Sequence, residues 1–145
     1  MNGMTSWSRH ARPILNNIVN KFQMARHNLT GSWGEALAAD YLAANGYAIA
    51  DRNWRSGHYE IDIVAYKGNR IIFVEVKTRS SDNDDPLEAV DRNKAMRLIR
   101  AAVAYVDAFK IDHDMQFDII AVNGTPGQYK IEHISDAFVS PLRTY

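Results

Sequence analysis

The spacing of hydrophobic and polar positions along the chain predicts two helices, separated by a group of three strands. The alanine- and leucine-rich segment from about Ser32 to Asn45 is typical of a helix, and Gly46 is well suited to end it. A second helix is predicted to begin at Asp85, where a capping aspartate precedes a proline, and to run to about Ala108. Its apolar residues recur at helical spacing, which predicts one buried face.

Five segments rich in isoleucine, valine and aromatic residues predict strands. In chain order they read "YAIADRNW", "YEIDIVAY", "RIIFVEVKTR", "QFDIIAV" and "YKIEHI". The first three follow the first helix, and the last two follow the second. This order of elements indicates an α/β fold in which a central mixed β-sheet is flanked by helices.

The turn at Lys67–Asn69 joins the second and third strands as a hairpin, and its register decides which side chains meet. That register sets Asp62 opposite Glu75 and Glu60 opposite Lys77. Side chains alternate along a strand, so all four charged residues are expected to project from the same face. The opposite face is expected to be apolar and buried, and it comprises Ile61, Ile63, Ile72, Val74 and Val76.

Two opposed carboxylates on a mostly buried sheet oppose folding. Like charges that face each other destabilise a sheet, and burial raises the pKa of one of the pair. A divalent cation between Asp62 and Glu75 removes the conflict, and Mg²⁺ accepts one or two carboxylates together with water and phosphate oxygens. Lys77 is no ligand for a cation, but it can orient or deprotonate a water or stabilise negative charge on phosphorus. The alternative is a solvated face on which Glu60 and Lys77 form an ordinary cross-strand ion pair.

Composition restricts the chemistry further. The 145 residues are about one domain's worth and contain no cysteine, which excludes disulfides, cysteine-bound zinc and thiol catalysis. No apolar run reaches the ~18 residues that a transmembrane helix needs. No membrane is therefore expected as a partner, and a cytoplasmic location is predicted.

Charge is distributed unevenly although the net charge is zero. Residues 1–30 contain four basic and no acidic side chains, which leaves 13 basic and 17 acidic ones in the remainder. We therefore expect a basic, flexible extension over residues 1–27 and a folded domain over residues 28–145. A basic extension can bind nucleic acid or an anionic membrane, or it can be a poorly ordered tail. Met24 is a second candidate start position, which would make residues 1–23 an addition to the domain.

A longer set of segments resembles one protein family. Asp62, followed by Glu75-Val76-Lys77 on the next strand, matches the PD-(D/E)xK nuclease pattern. The segments that carry the closer match are "GEALAADYL", "GYAIADRNWR", "EIDIVA", "FVEVKTR", "PLEAV" and "FDIIAV". They are similar to the YraN family, bacterial proteins labelled endonuclease-like but functionally uncharacterised, and the similarity extends from about Asn28 to Val122.

The resemblance implies a restriction-endonuclease-like core with a site built on its strands. It implies that Asp62 and Glu75 bind a metal, Mg²⁺ or Mn²⁺, and that Lys77 is the catalytic lysine. It also implies an accessory acid, Glu35, which binds the metal directly or through water. The expected activity is metal-dependent hydrolysis of phosphodiester bonds in nucleic acid, with DNA, including branched DNA, as the expected substrate.

Several basic residues are candidates for phosphate contacts. Arg52, Arg55 and Arg79 lie near the ends of the site strands, where they either hold phosphates or are ordinary solvated charges. The family resemblance adds Lys94. Two hypotheses stay open: an endonuclease, for which a homodimer is expected if it cuts two strands, or a nucleic-acid-binding or scaffold module that keeps the fold without catalysis.

Four more polar residues are interpreted without a catalytic role. Arg97 and Arg100 follow at near-helical spacing on the second helix and are interpreted as surface charges. His58 precedes the second strand and is either a substrate contact or a surface histidine, and we favour the surface histidine. Asp118 is flanked by apolar residues in a core strand, and it is expected either to support the site or to cap a polar network.

Overall fold

A computed structural model of the chain describes residues 31–80 and 92–139. Within them the chain forms two helices and five strands. These are α1 (31–44), β1 (Ala48–Ser56), β2 (Tyr59–Lys67), β3 (Arg70–Arg79), α2 (Arg92–Phe109), β4 (Asp114–Thr125) and β5 (Gln128–Ile134). The predicted extension over residues 1–27 and the predicted start of the second helix at Asp85 lie outside the described residues.

The five strands form one sheet in the order β1-β2-β3-β4-β5. Strands β3 and β4 are parallel and connected through α2, whereas the other neighbours are antiparallel. The predicted mixed α/β sheet flanked by helices is therefore confirmed, and the arrangement is consistent with a restriction-endonuclease-like core. None of the helices in the described parts of the chain is long and apolar enough to cross a membrane.

Each face of the sheet packs against one helix. On one face, Leu98, Ala101 and Tyr105 of α2 are buried against strand residues that include Phe73 and Phe117, so the predicted apolar face of α2 is confirmed for these residues. On the other face, α1 contributes Ala38, Ala39 and Leu42 to a cluster with Ile72, Val74, Ile120 and Val122. Helix α1 ends where predicted, because Gly46 adopts a φ of 86° that favours glycine.

The hairpin between β2 and β3 has the predicted register. Lys67 pairs with Arg70 across the turn, and the ladder continues to the pair formed by Ile63 and Val74. Gly68 has a φ of 58°, a conformation that a tight hairpin turn requires and glycine readily adopts. The turn chemistry thus sets the alignment of the two strands that carry the candidate site.

The ladder ends before it reaches the charged residues. Asp62 and Glu75 are not a ladder pair, and neither are Glu60 and Lys77, so the predicted facing pairs are wrong as sheet partners. Glu60 instead pairs with Arg55 of β1, at 2.8 Å between Oε1 and Nη2. The strands β2 and β3 therefore separate at this end and leave their charged side chains around an opening.

Side-chain alternation in β2 also breaks at this point. Ile61 packs on the α2 side together with Val64, whereas Ile63 packs on the α1 side. The prediction that Ile61 and Ile63 share one buried face is therefore wrong. On the neighbouring β1, Asn53 lies between the ladder partners of Ile63 and Ile61 and has a left-handed φ of 51°, and the ladder shifts register between Ile49 and Asp51. Asparagine tolerates this conformation better than most residues, and such irregularities re-aim neighbouring side chains.

Candidate active site

Asp62 lies where β2 separates from β3, and its side chain bridges the gap. Its Oδ2 accepts a hydrogen bond of 2.9 Å from the backbone N–H of Val76. A main-chain N–H that loses its ladder partner needs another acceptor when it is partly buried. Asp62 therefore supports the end of β3 and is at the same time held at the mouth of the opening.

Glu75 and Lys77 project beside each other from the end of β3. Lys77 Nζ lies 3.2 Å from Glu75 Oε1, and the side chains are only 21% and 24% exposed, respectively. Screening by water is weaker at such partly buried positions than on the surface. The single Val76 between the two residues places both on the same face of the strand, as the sequence predicts.

Glu35 reaches the same region from α1 because the residue before it is glycine. A Cβ at Gly34 would overlap the Oγ1 of Thr78 on β3. The missing side chain lets the first turns of α1 approach the strand that carries Lys77. The helix therefore brings the Glu35 carboxylate close enough to raise the pKa of Asp62.

The electrostatic consequence appears at Asp62, whose pKa is raised to about 7. Burial is the largest cause, followed by the negative charge of Glu75; Glu35 raises the pKa further. The hydrogen bond from Val76 and the charge of Lys77 lower this pKa but do not balance the rise. The expectation that two neighbouring carboxylates would raise one pKa is thus confirmed.

The carboxylate oxygens of Asp62 and Glu75 are suited to bind a hard divalent cation that takes only a few ligands from the protein. Asp62 and Glu75 offer carboxylate oxygens, and their mutual repulsion would be relieved by positive charge between them. Among residues 31–80 and 92–139, no group of three or more His, Cys, Asp or Glu side chains is placed to hold a metal. Two carboxylates that leave the remaining positions to water and phosphate match the coordination that Mg²⁺ commonly adopts. The roles of Asp62, Glu75, Glu35 and Lys77 stay predictions.

Glu75 also lines an open cleft of about 470 Å³ on the α2 side of the sheet. Helix α2 contributes Lys94, Arg97 and Arg100 to this cleft, and His58 lies at its strand side. The other lining residues are Tyr59, Glu60 and Leu98. Cationic side chains and a candidate catalytic carboxylate thus share one depression, which is large enough for part of a nucleic acid strand.

The other predicted phosphate contacts are not gathered in this cleft. Arg55 is exposed and paired with Glu60, while Arg52 is exposed on β1, where its backbone N–H donates to the Asp51 carboxylate. Arg79 is partly buried at the end of β3, on the strand that carries Lys77. Only Lys94, of the four predicted contacts, lines the cleft beside Glu75.

Sequence reasoning missed Arg97 and Arg100 as members of the cleft, and it named a substrate contact only as the less favoured interpretation of His58. The available signal was the spacing of Lys94, Arg97 and Arg100, which places them along adjoining turns of one helix. That spacing predicts a basic ridge but not the strand beside which the ridge lies. Asp118 lies elsewhere and caps a buried polar network with His133, so that one of its two expected roles is confirmed.

Comparisons with known proteins identify the family of this chain. The profile of the "Uncharacterised protein family UPF0102" matches residues 34–122, which include every candidate catalytic residue. A UPF0102 protein of Bacteroides thetaiotaomicron is 52% identical over 120 residues, which cover 82% of this chain and 99% of that protein. A UPF0102 protein of Parabacteroides distasonis is 46% identical over 121 residues, covering 83% of this chain and 100% of that protein.

A relative of lower sequence identity belongs to the same family. The UPF0102 protein FP2501 of Flavobacterium psychrophilum is 44% identical over 116 residues, which cover 79% of this chain and 98% of that protein. Identity of this extent over almost the whole length of the relatives establishes common descent. The chain belongs to the UPF0102 family, the YraN family of endonuclease-like proteins.

Proposed function

We propose that the protein is a metal-dependent nuclease that hydrolyses phosphodiester bonds in nucleic acid, with DNA as the preferred substrate. The observation that carries the proposal is the crowding of Asp62 by Glu75 and Glu35 at the open end of the sheet, with Lys77 beside Glu75. Strongly shifted acids are more common at functional sites than elsewhere, and Asp62, which does not itself line the cleft, interacts with Glu75, which does. Structural ion-pair networks also shift pKa values, so the test has to be chemical.

Each residue of the cluster has a role in this proposal. Asp62 and Glu75 would hold Mg²⁺ or Mn²⁺, and Glu35 would support the ion directly or through water. The ion would supply positive charge beside the phosphate, where negative charge develops during the reaction. Lys77, held 3.2 Å from Glu75, would stabilise the same charge or orient the attacking water.

The basic ridge of α2 would hold the substrate while hydrolysis proceeds. The oxygen of a water attacks phosphorus, the bond from phosphorus to the leaving sugar oxygen breaks, and a proton passes to that oxygen. Lys94, Arg97 and Arg100 line the cleft that Glu75 also lines, so they would contact phosphates next to the one that reacts. Such contacts position a strand without reading its bases.

A second candidate function is a nucleic-acid-binding or scaffold module without catalysis. The observation that favours it is the ion pair of Lys77 and Glu75, in which a protein cation lies 3.2 Å from one of the two carboxylates proposed to bind metal. In this case the ion pair of Lys77 with Glu75 would serve to neutralise a partly buried charge. The basic ridge on α2 would still bind phosphates, so binding alone does not separate the two functions.

Cleavage assays on a panel of substrates separate them. We would incubate the protein with duplex, branched and single-stranded DNA and with RNA, in Mg²⁺, in Mn²⁺ and in EDTA. The nuclease proposal requires metal-dependent cleavage that Asp62→Asn abolishes and that Asp40→Asn, at an exposed position on α1, leaves intact. Binding without cleavage in either metal, equal in both variants, would favour the scaffold module.

A homodimer is part of the proposal for substrates with two strands. Sedimentation velocity with and without duplex DNA measures it directly. A protein that stays monomeric in both conditions would be restricted to cutting one strand at a time.

A further inference from the structure

A second polar pocket lies at the hairpin end of the sheet, away from the candidate active site. It is open, has a volume of about 300 Å³ and is lined by Tyr47, Lys67, Arg70, Ile72, Gln116 and Ser135. Arg70 and Glu75 are five positions apart on β3, which corresponds to about 17 Å along an extended strand. The pocket is therefore a separate site.

The charge of this pocket is positive. Its lining includes Lys67 and Arg70 and no carboxylate. The Lys67 ammonium donates to the backbone oxygen of Asn45 at 3.2 Å and lies 4.3 Å from the centre of the Tyr47 ring. Arg70 Nη1 donates to Gln116 Oε1 at 2.8 Å. Both residues are exposed, and their partners in these contacts are uncharged.

Neither Asp114 nor Asp118, the two acids that flank Gln116 on β4, lines the pocket. Asp114 pairs in register with Arg70 across β3 and β4, but the pocket begins at Gln116, two positions further along β4. The two cations therefore meet a wall of amide, hydroxyl and aromatic groups. Behind it lies the buried Asp118 carboxylate, which accepts from Gln116, and burial together with the charge of Asp118 raises the pKa of Tyr47.

The wall is built on a buried polar network. Gln116 is only 7% exposed, and its Nε2 donates to Asp118 Oδ1 at 2.9 Å and to Ser135 Oγ at 3.0 Å. Asp118, which is fully buried, also accepts hydrogen bonds from His133 Nε2 at 2.7 Å and from the backbone N–H of Asp136 at 2.9 Å. Burying these groups is unfavourable unless each is satisfied, and a satisfied network is rigid.

The network leaves one donor for a ligand at the pocket. Because Ser135 Oγ already accepts from Gln116, its hydroxyl hydrogen is left to donate. Arg70 has further N–H groups besides the one bound to Gln116, and Lys67 has three donors in all. The pocket is therefore surrounded by hydrogen-bond donors, which are the hydroxyl of Ser135, the guanidinium of Arg70 and the ammonium of Lys67. A ligand with several acceptor oxygens would complement them.

We infer that this pocket binds a phosphate group. Arginine and serine donate to separate oxygens of a tetrahedral anion, and lysine adds a point charge. The phosphate can belong to a free phosphomonoester or to the backbone of a nucleic acid held at the same time elsewhere. The inference stands on this pocket alone and does not depend on cleavage at Glu75.

The free source is tested by calorimetric titration of the full chain with inorganic phosphate and with a nucleoside 5′-monophosphate. Arg70→Gln with Lys67→Gln should weaken binding at least tenfold, since the charge-assisted hydrogen bonds of both cations to the phosphate are lost. Ser135→Ala should weaken it about fivefold and preserves both cations, so it stays informative if the double variant melts early. Lys130→Gln, at an exposed lysine of β5, is the matched control and should bind as the wild type does.

The backbone source is tested by fluorescence anisotropy of a labelled single-stranded oligonucleotide at increasing salt. If the phosphate is part of the strand, the double variant binds more weakly and its salt dependence falls by about 0.7 per lost phosphate contact. Loss in either assay that the Lys130→Gln control does not share supports the pocket. Equal behaviour of the pocket variants and the control in both assays overturns it.

Discussion

At the scale of single residues, Asp62 meets two opposing demands. The N–H of Val76 donates to its carboxylate and favours the charged form, while burial and Glu75 favour the protonated form and prevail. In the unfolded chain an aspartate titrates near pH 4. The folded protein therefore holds a proton on Asp62 between about pH 4 and 7 that the unfolded chain releases. Stability that is fully present at low pH is lost as the pH rises through this window.

Replacing Asp62 by asparagine should remove this loss. The amide oxygen can still accept from Val76, and no charge has to be buried. In EDTA, we expect Asp62→Asn to be more stable than the wild type at pH 8 by about 1–4 kcal/mol, the upper value corresponding to the full shift, and nearly equal to it at pH 4. Urea unfolding at both pH values measures the difference. The control Asp40→Asn should show no such growth with pH, and a flat difference for Asp62→Asn would contradict the raised pKa.

Lys77 is expected to act on the reacting phosphate rather than on the fold. In Lys77→Met the stem is kept and the ammonium beside Glu75 is lost. Under the nuclease proposal, cleavage should fall by ~10²-fold or more, the scale for losing one preorganised charge-stabilising group, while nucleic acid binding changes little. Single-turnover cleavage and anisotropy measure the two effects. Lys130→Met is the control, and a Lys77→Met variant that cleaves at the wild-type rate would end the catalytic role.

Residue-level geometry was partly predictable from the sequence. Turn chemistry predicted that Asp62, Glu75 and Lys77 come together at one end of the hairpin, and their charges interact there, although the predicted strand alternation fails around Asp62. The bond from Val76 to Asp62 was not predictable, because it arises only where the ladder stops. The left-handed φ of Asn53 gives no sequence signal strong enough to locate that irregularity.

At the scale of elements, the contact between α1 and β3 decides whether Glu35 joins the site. Gly34 and Thr78 approach so closely that no side chain fits at residue 34. Neither the helix propensity of "GEALAADYL" nor the strand pattern of "FVEVKTR" contains this information. The sequence predicted both elements, whereas their separation depends on how the helix docks on the sheet.

Gly34→Ala should move α1 away from β3. Overpacking of this kind typically costs about 1–3 kcal/mol, even though alanine favours a helix. Thermal unfolding measures the loss, and Thr78→Ala in the same chain should recover part of it because the overlapping hydroxyl is removed. Gly31→Ala is the control, since a Cβ there meets nothing within 4 Å. Equal melting of the two alanine variants would contradict the close approach.

Helix α2 illustrates the other limit of sequence reasoning at this scale. Its buried residues Leu98, Ala101 and Tyr105 followed from helical spacing. Arg97 and Arg100 looked like solvated charges because periodicity shows which residues leave the core but not what lies beside them. Their position along the cleft depends on where α2 packs against the sheet, beside Glu75 of β3.

At the scale of the whole molecule, zero net charge limits how nucleic acid can be attracted. A neutral protein gains little from long-range attraction, so binding must come from local patches at short distance. The chain provides two such places in its described parts, the cleft beside Glu75 and the pocket at Arg70. They lie on opposite sides of the sheet, since Leu98 of α2 lines one and Ile72, from the α1-side core, lines the other.

The dependence of binding on salt should therefore report the three basic residues of the cleft as a group. A variant with Lys94, Arg97 and Arg100 all changed to glutamine loses three charges along α2 without touching the residues that α2 buries. For duplex DNA the slope of log affinity against log salt should decrease by up to about 2.7, at 0.9 per lost phosphate contact. Lys110→Gln and Lys130→Gln together, at exposed positions outside the cleft, should leave the slope nearly unchanged. Anisotropy titrations between low and physiological salt give both slopes.

If the two sets of substitutions reduce the slope equally per charge, nucleic acid binds through diffuse charge, and the cleft beside Glu75 is not the surface that holds the substrate.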